Sequence, residues 1–423
     1  MTSRQRVIES INHREPDYVP LDIGGCGQTG INASTLYALR KAYGLEEHPI
    51  EICEPMQLLG TVESDLLDKM GTDVVPLWNR SNMFGLTGPK EKRWDMPDGT
   101  PTLMPNDFEY DVTEKGYTMV YPCGDRDAPY SLHMTPEGTF FDNIYRSPPV
   151  DEDNLTPLED FKENYTLKTE EDCVYWEKES KRLYEEADFA VMGVFGSMGL
   201  GDIAEIPGPF VRTPKGIRDI EGWLTAHVLY PDYVRTVFEY QAEIALKNLE
   251  MYRQAVEDRI QVIWLSGTDF GTQCSLMQSK EVFLSLYKPY YKKINDWVHE
   301  NTPWKVFYHS CGAVESLISE FIDMGMDILN PVQCSATGMD PRHLKATYGD
   351  RIVFWGGGID TQKTLPRGTP AEVCKEVRER LEIFSPGGGF VFATIHNILA
   401  KVPPENVIAM VDTIREFRGI NGT

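Results

Sequence analysis

Short apolar runs alternate with longer segments of helical periodicity along most of the chain. The runs are rich in β-branched and aromatic residues and predict eight strands, at 18–23, 73–77, 189–194, 260–265, 304–308, 327–330, 352–355 and 390–393. Apolar positions spaced three and four residues apart predict helices between them, at 234–255, 281–298, 314–324, 370–384 and 405–417. The alternation predicts an α/β fold, a (β/α)8 TIM barrel, with an open doubly wound sheet as the alternative.

One stretch departs from this alternation. Residues 81–147 are rich in glycine, proline and aromatic residues, and short alternating runs at 117–121 and 139–145 are separated by turn sequences. We therefore expect an antiparallel β insertion after the second strand, within a single barrel domain spanning 1–423. The insertion could form a lid or a partner surface at the catalytic end of the barrel. It could equally be an arm that packs against the barrel or against the second subunit of a homodimer.

The composition narrows the class of protein. Hydrophobic residues make up 41% of the chain and charged residues 25%, and no apolar run approaches the roughly 20 residues that span a bilayer. We expect a cytoplasmic protein whose eight scattered cysteines are reduced thiols. The formal charge of -24 repels polyanions, which argues against a nucleic-acid partner and against a substrate with many carboxylates.

The segment Tyr308-His309-Ser310-Cys311-Gly312 carries the most specific chemistry. Side chains alternate faces along a strand, so His309 and Cys311 should point the same way from the end of the fifth strand. An imidazole and a thiolate so placed form half of a zinc site. His396 or Cys334, each just beyond another strand, would supply the third ligand. Three protein ligands and an open fourth position are typical of catalytic zinc.

Other polar residues follow the strands and would gather on the same face of a barrel. Asp269 could orient a ligand imidazole, act as an acid or base, or cap the helix that begins near Ser279. We take Asp269 and Gln273 as candidate catalytic residues. The candidate substrate-binding residues are Asp22, Trp78, Asn79 and Gln333.

Five segments, taken in order, resemble the uroporphyrinogen decarboxylase superfamily and are most similar to its cobalamin-dependent methyltransferase branch. They are the opening residues 3–20, Asp269-Phe270-Gly271-Thr272-Gln273, His309-Ser310-Cys311-Gly312, His396-Asn397-Ile398 and Pro403-Pro404-Glu405-Asn406. The resemblance covers the predicted barrel but not residues 81–147.

Two departures from the family pattern affect the function that the resemblance implies. Decarboxylases of the superfamily hold their acidic porphyrinogen with an arginine-rich loop after the first strand, whereas this chain has the arginine-free segment 24–30. The coenzyme M methyltransferases take their third zinc ligand from a Gly-Cys-Gly segment after the last strand. This chain has His396 at that place, and Cys334 remains the alternative third ligand.

The resemblance implies zinc-dependent methyl transfer between a small methylated compound and the cobalt of a corrinoid (cobalamin) carried by a partner protein. Zinc would act on the ether oxygen of a methoxy donor or on an acceptor thiol. We favour transfer from a methoxyaromatic donor to cobalt(I), because Trp78 and the aromatic-rich insertion could enclose an aromatic ring. The alternatives are a methylcobalamin:thiol methyltransferase, a cofactor-independent decarboxylase using Asp22 or Asp269, and a non-catalytic scaffold.

Overall fold

The computed structural model describes residues 1–151 and 154–419. Its strands, in chain order, are β1 Ile31–Asn32, β2 Ile50–Glu54, β3 Leu59–Gly60, β4 Val74–Leu77, β5 Lys92–Asp95, β6 Pro101–Met104, β7 Tyr110–Val112, β8 Thr118–Val120, β9 Leu132–Met134, β10 Asp142–Asn143, β11 Ala190–Val194, β12 Val262–Ser266, β13 Lys305–His309, β14 Ile328–Asn330, β15 Val353–Trp355 and β16 Phe390–Val391.

The helices surround these strands and connect most of them. In chain order they are α1 Ser3–Ile11, α2 Ala33–Ala42, α3 Ser64–Met70, α4 Pro157–Phe161, α5 Glu170–Glu186, α6 Ile220–Leu229, α7 Pro231–Val256, α8 Lys280–Val282, α9 Lys288–Asn301, α10 Glu315–Asp323, α11 Pro341–Tyr348, α12 Thr364–Arg367, α13 Pro370–Phe384 and α14 Pro404–Phe417. No helix in the described part of the chain is both long and apolar enough to cross a membrane.

A parallel sheet of seven strands forms the centre of the fold, in the order β16-β15-β14-β13-β12-β11-β4. If the strands of the other sheets are left aside, each strand of this sheet lies next to the strand that follows it in the chain. A doubly wound sheet would instead reverse its strand order at one point, so that alternative is excluded. The predicted α/β class is confirmed, and seven of the eight predicted strands lie within two residues of observed ones.

The predicted strand at 18–23 is wrong as a regular strand and is reduced to a single bridge between Leu21 and Phe392. Pro20 has no N–H to donate, and the N–H of Leu21 donates to the Asp73 carboxylate at 2.9 Å rather than to a neighbouring strand. The segment still lies between the two edges of the sheet. Asp22 N–H donates to the Phe392 carbonyl at 2.8 Å, and Asp73 N–H donates to the Leu21 carbonyl at 2.8 Å. The sheet is therefore curled in the manner of a TIM barrel.

The two faces of the sheet belong to separate apolar clusters. Val262, Phe307 and Val353 pack together on the concave side, whereas Ile263, Val306 and Phe354 pack with the helices outside. Because strand side chains alternate, the same periodicity directs Phe307 and His309 to the concave side. The packing of the sheet thus places the predicted histidine at the end of an interior row.

The predicted helix at 281–298 is interrupted. Its N-terminal part is α8, followed by a wider π-helical turn at Phe283–Tyr287 and then by α9. Pro289 lies one residue inside α9 and cannot donate the regular hydrogen bond to the preceding turn, which explains the wider turn before it.

Between β4 and β11 the chain forms mainly antiparallel pairs. β7, β8, β9 and β10 form one antiparallel sheet, and β5 pairs with β6. β6 also pairs in parallel with β2, which joins this segment to a small sheet of β1, β2 and β3 that the sequence analysis did not predict. Predicted run 117–121 contains β8, and predicted run 139–145 contains only the short β10.

The N-terminal motif closes the amino end of the central sheet. Asp73, just before β4, accepts hydrogen bonds from Arg6 at 2.5 Å and from Arg418 at 2.8 Å, and all three side chains are buried. Both guanidinium groups also stack on the Tyr18 ring. The opening motif therefore has a structural role at the end of the sheet opposite His309.

Candidate metal centre

His309 and Cys311 lie together at the carboxyl end of β13, as predicted. His309 is the last residue of the strand and is 4% exposed, and Cys311 is half-buried two residues later. The His309 Nε2 atom is 3.2 Å from the Cys311 Sγ atom.

Asn330 determines which nitrogen of His309 faces the cysteine. The Asn330 amide donates from Nδ2 to the Trp355 carbonyl at 2.8 Å, so its Oδ1 atom faces His309 Nδ1 at 2.5 Å. Nδ1 must then carry the proton, and Nε2 presents its lone pair toward Cys311. Hydrogen bonds of this kind fix the tautomer of metal-binding histidines. No sequence motif marks Asn330, the last residue of β14, for this role.

His396 lies in the loop after β16 with a left-handed backbone, at a φ of 72°. Its Nδ1 atom is 2.9 Å from the Asn397 Oδ1 atom, and the Asn397 amide donates to Gln57 Oε1 at 2.6 Å. Asn397 is fully buried. Loop 54–57, from another part of the chain, therefore braces the segment that carries His396.

The structure brings three candidate ligands to one place. One nitrogen or sulfur atom from each of His309, Cys311 and His396 lies within 4.8 Å of the others, and the His309 and His396 ring centres are 5.2 Å apart. Tetrahedral zinc with ordinary bond lengths separates such ligand atoms by about 3.4–3.6 Å. The donor set therefore fits zinc after an inward shift of roughly 1 Å.

Cys334 is not part of this cluster within the described residues. Its thiol donates to the Val332 carbonyl at 3.3 Å, and a Cβ atom added to Gly357 would lie 3.3 Å from its sulfur. Burial raises the pKa of this thiol to about 12. Between the two candidates for the third ligand, the geometry favours His396.

His309 already has the protonation state that a cation needs, whereas Cys311 does not. Burial lowers the pKa of His309 to about 4, so its imidazole is neutral. Burial, followed by the negative charge of Asp269, raises the pKa of the Cys311 thiol well above its usual value. A bound divalent cation would reverse the second effect, because coordination favours the thiolate.

Asp269 and Gln333 each accept a hydrogen bond from the backbone of the loop that carries Cys311. Asp269 Oδ1 accepts the Cys311 N–H at 2.6 Å and is 3.7 Å from His309 Nε2. Gln333 Oε1 accepts the Gly312 N–H at 2.8 Å, and its amide donates to Gln273 Oε1 at 3.0 Å. Asp269 does not cap the following helix, because the Ser279 side chain accepts the N–H of Val282 at that position.

Two of the predicted substrate-binding residues, Asp22 and Asn79, form hydrogen bonds with other parts of the protein. Asp22 is fully buried and accepts hydrogen bonds from Trp355 Nε1 and Gly25 N–H, both at 2.8 Å, and burial raises its pKa to about 6. The Asn79 amide donates to the Phe195 carbonyl at 3.1 Å and accepts from Trp176 at 3.2 Å, which joins neighbouring elements.

Trp78 faces a large open cavity of about 1670 Å3 that the sequence analysis did not predict. Residues of β4, β11 and β12 and of loops 24–30 and 80–90 line its walls, and Trp264 contributes a second indole. The volume exceeds the roughly 300–1,000 Å3 of typical small-molecule pockets, so it could hold a small ligand and admit part of a partner. The three cluster residues do not line it within the described structure.

Two acids in the loop after β11 were not singled out from the sequence. Asp202 and Glu205 follow β11, and Glu205 lines the cavity. The negative charge of Asp202 contributes to the raised pKa of the Cys311 thiol, and that of Asp269 contributes to the raised pKa of Asp202. No motif marks these acids, since the segment reads as an ordinary glycine-rich loop.

Part of the chain matches a known protein family. Residues 210–417 match the family described as Uroporphyrinogen decarboxylase (URO-D). An 88-residue stretch, 20% of the chain, is 36% identical to the uroporphyrinogen decarboxylase of Psychromonas ingrahamii and 32% identical to that of Pseudoalteromonas translucida. The chain spans about a quarter of the length of these curated relatives, since each match covers 24% of the relative.

A solved structure described as a methyltransferase from Methanosarcina mazei is also similar. It superposes with a TM-score of 0.57 at 16% identity, and the match covers 99% of both chains. The similarity at this level of identity concerns the fold.

Proposed function

Because this chain belongs to the uroporphyrinogen decarboxylase superfamily, we propose that it is a zinc-dependent methyltransferase. It moves a methyl group from a small methoxyaromatic donor to the cobalt(I) corrinoid of a partner protein. The resemblance of its motifs to the methyltransferase branch supports this activity, and the overall similarity to a methyltransferase structure is consistent with it.

The convergence of His309, Cys311 and His396 carries the proposal. Two imidazoles and one thiol form the donor set of a catalytic zinc ion with three protein ligands. Cys311 and His396 are only half-buried, which leaves a side of the cluster open for a substrate atom. A structural zinc site would instead be closed by a fourth protein ligand.

Residues of the chain prepare this site for the reaction. Asn330 keeps the Nε2 lone pair of His309 directed into the cluster, and Asp269 anchors the backbone of Cys311. The ion, when bound, would supply Lewis-acid polarisation of the donor oxygen. The oxygen keeps the electron pair of the breaking carbon–oxygen bond, and the methyl carbon takes its new pair from cobalt(I), which is oxidised.

The charges near the site favour methyl transfer over decarboxylation of an acidic porphyrinogen. Loop 24–30 carries no arginine, and Glu205, which follows β11, lines the cavity. A substrate with several carboxylates would also be disfavoured by the overall charge of -24.

The partner would approach over the carboxyl end of the sheet. Methyl transfer requires the methyl carbon and the cobalt in line, so the corrin face must reach the donor directly. Residues 80–90 and Cys123 line the large cavity at that end. We propose that segment 81–147, which contains most of these residues, contributes to the docking surface.

The proposal is tested by incubating the zinc-loaded protein with a cobalt(I) corrinoid protein and a panel of methoxyaromatics. We expect methylcobalt, seen by its absorption spectrum, and an equal amount of free phenol. His309→Ala should abolish both products, whereas Cys374→Ala, which alters a cysteine near α14, should leave them unchanged.

Two outcomes would contradict the proposed direction or reaction. Turnover only from methylcobalt to a thiol acceptor would reverse the direction of transfer. Release of carbon dioxide from a porphyrinogen by metal-free protein would replace methyl transfer with decarboxylation.

A further inference from the structure

Gly267, the residue after β12, leaves a small space open where three side chains meet. Its φ lies outside the left-handed region, so the backbone at this position does not require glycine. An added Cβ atom would lie 3.2 Å from the Trp264 ring, 3.4 Å from Asp202 Oδ2 and 3.4 Å from Gln28 Nε2. A strand and two loops from separate parts of the chain therefore converge on one point, and the absence of a side chain at 267 keeps that point open.

The two polar groups at this point have no protein partner. The Oδ1 atom of Asp202 accepts the Ala204 N–H at 2.8 Å, whereas its Oδ2 atom accepts no hydrogen bond from the described residues. The side chain of Gln28 forms no hydrogen bond with the described part of the chain either. Both residues are partly exposed, and neither contributes to the polar atoms that are buried without a partner. Both groups are therefore open to a ligand.

The point lies beside the candidate metal centre. Ser266 pairs with Tyr308 across the sheet, so the next residues, Gly267 and His309, also lie side by side, about 5 Å apart along the backbone spacing of a sheet. Asp269, two residues beyond Gly267, has its Oδ1 atom 3.7 Å from His309 Nε2. A small ligand held by the metal centre could thus extend over Gly267.

Trp264 and Gln28 also line the large cavity. Trp264 packs with Trp78 against the interior cluster of the sheet, and both indoles are partly exposed. The Trp264 indole at the point over Gly267 offers packing surface to an aromatic ring.

The groups around the point restrict the chemistry of the ligand. Burial, followed by the charges of Glu205 and Asp269, raises the pKa of Asp202, and an anionic ligand would add a further like charge. An ammonium group only donates and would leave the Gln28 N–H unpaired. A hydroxyl group carries no charge and both donates and accepts, so it can pair with Asp202 Oδ2 and Gln28 Nε2 together.

We propose that Gly267, Asp202 and Gln28 form a subsite that holds a hydroxyl group of the methyl donor beside the metal centre. The hydroxyl donates to Asp202 Oδ2 and accepts from Gln28 Nε2. The donor class is then methoxyphenols, and the closeness of Gly267 to His309 favours neighbouring ring positions for the hydroxyl and methoxy groups. The identification of the ligand as the methyl donor rests on the proposed function, whereas the hydroxyl subsite itself does not.

Calorimetric binding to the purified, zinc-loaded full chain, without any corrinoid protein, tests the subsite. The two ligands are 2-methoxyphenol and 2-methoxytoluene, in which a methyl group of similar size replaces the hydroxyl. We expect the phenol to bind about 10-fold more tightly, since two net hydrogen bonds separate the ligands.

Two variants remove the subsite in different ways. Gly267→Ala places a Cβ atom in the space that the hydroxyl would occupy, so the ratio of the two affinities should fall from about 10 to near 1. Gln28→Met keeps the length of the side chain and removes the donor. It should weaken binding of the phenol about 3- to 10-fold and leave 2-methoxytoluene unchanged.

A matched control separates the subsite from general effects on the cavity. Glu51→Gln removes a carboxyl that lines the cavity but is paired with Lys90 at 2.8 Å, so it should change neither affinity. The melting temperature and the zinc content of each variant confirm that the fold and the metal centre are retained.

Equal affinities for the two ligands, no binding of either, or a natural affinity ratio in both Gly267→Ala and Gln28→Met would overturn the subsite. Tighter binding of 2-methoxybenzylamine than of the phenol would also overturn it, because Asp202 and its acidic neighbours would then form a cation site. The expected binding pattern without methyl transfer would contradict the proposed function and leave the subsite intact.

Discussion

Individual residues of the candidate metal centre depend on neighbours that the sequence does not identify. His309 presents a lone pair only because Asn330 occupies its other ring nitrogen, and the Asn330 amide is itself oriented by the Trp355 carbonyl. The pairing of His309 with Cys311 followed from the two-residue period of a strand. The choice of His396 over Cys334 did not, because both follow strands at a similar distance.

Zinc content distinguishes these two candidates. His396→Ala should bind zinc at least 10-fold more weakly, since it removes one of three ligands, whereas Cys334→Ala should keep the zinc of the natural protein. The measurement is elemental analysis of each purified variant after dialysis against a zinc buffer. Loss of zinc from Cys334→Ala with retention in His396→Ala would assign the third ligand to the cysteine.

At the scale of elements, loops from separate regions meet around the cluster. Glu54, at the end of β2, is buried and accepts the N–H groups of Met56 and Gln57 at 2.8 Å and 2.9 Å. This turn presents Gln57 to Asn397, next to His396. The helices and strands of the central sheet were predictable from periodicity, but the contact between loop 54–57 and the last loop was not. It joins residues more than 300 positions apart, and no local pattern encodes such a pairing.

Removing the acceptor at 57 tests this support. Gln57→Leu leaves the buried Nδ2 donor of Asn397 unpaired, which should lower the free energy of unfolding by about 1–3 kcal/mol. It should also weaken zinc binding, because His396 loses its brace. Denaturant unfolding and a zinc titration measure the two effects, with Gln57→Glu as a control that keeps an acceptor. Unchanged zinc affinity in the leucine variant would show that His396 is positioned without Gln57.

For the whole molecule, the two ends of the central sheet serve different purposes. The amino end holds the buried network of Arg6, Asp73 and Arg418, and the carboxyl end holds the candidate metal centre. Because the strands are parallel, these features lie at opposite ends of the sheet. The opening motif that supports the family resemblance therefore contributes to stability, and the motifs after β12, β13 and β16 lie at the candidate site.

Neutralising Asp73 should separate stability from metal binding. Asp73→Asn leaves two buried guanidinium groups without their shared anion, which should lower the free energy of unfolding by about 3–5 kcal/mol. Zinc bound per folded molecule should stay the same. Asp95→Asn is the control, since Asp95 and its partner Arg93 are both exposed and lie outside this network, so its loss should leave the free energy of unfolding nearly unchanged. A loss of zinc in folded Asp73→Asn would mean that the two ends are coupled.

The sequence by itself determined the α/β class, the positions of seven strands and the shared direction of His309 and Cys311. These depend on apolar periodicity and strand alternation, which are set by neighbours within a few residues. Only the tertiary structure decided that His396 joins the cluster, that Cys334 does not, and that Asp202 and Gln28 converge on Gly267. The physical reason is that curling of the sheet brings loops from distant strands to one end, and the distances between those loops depend on the packing of the whole chain.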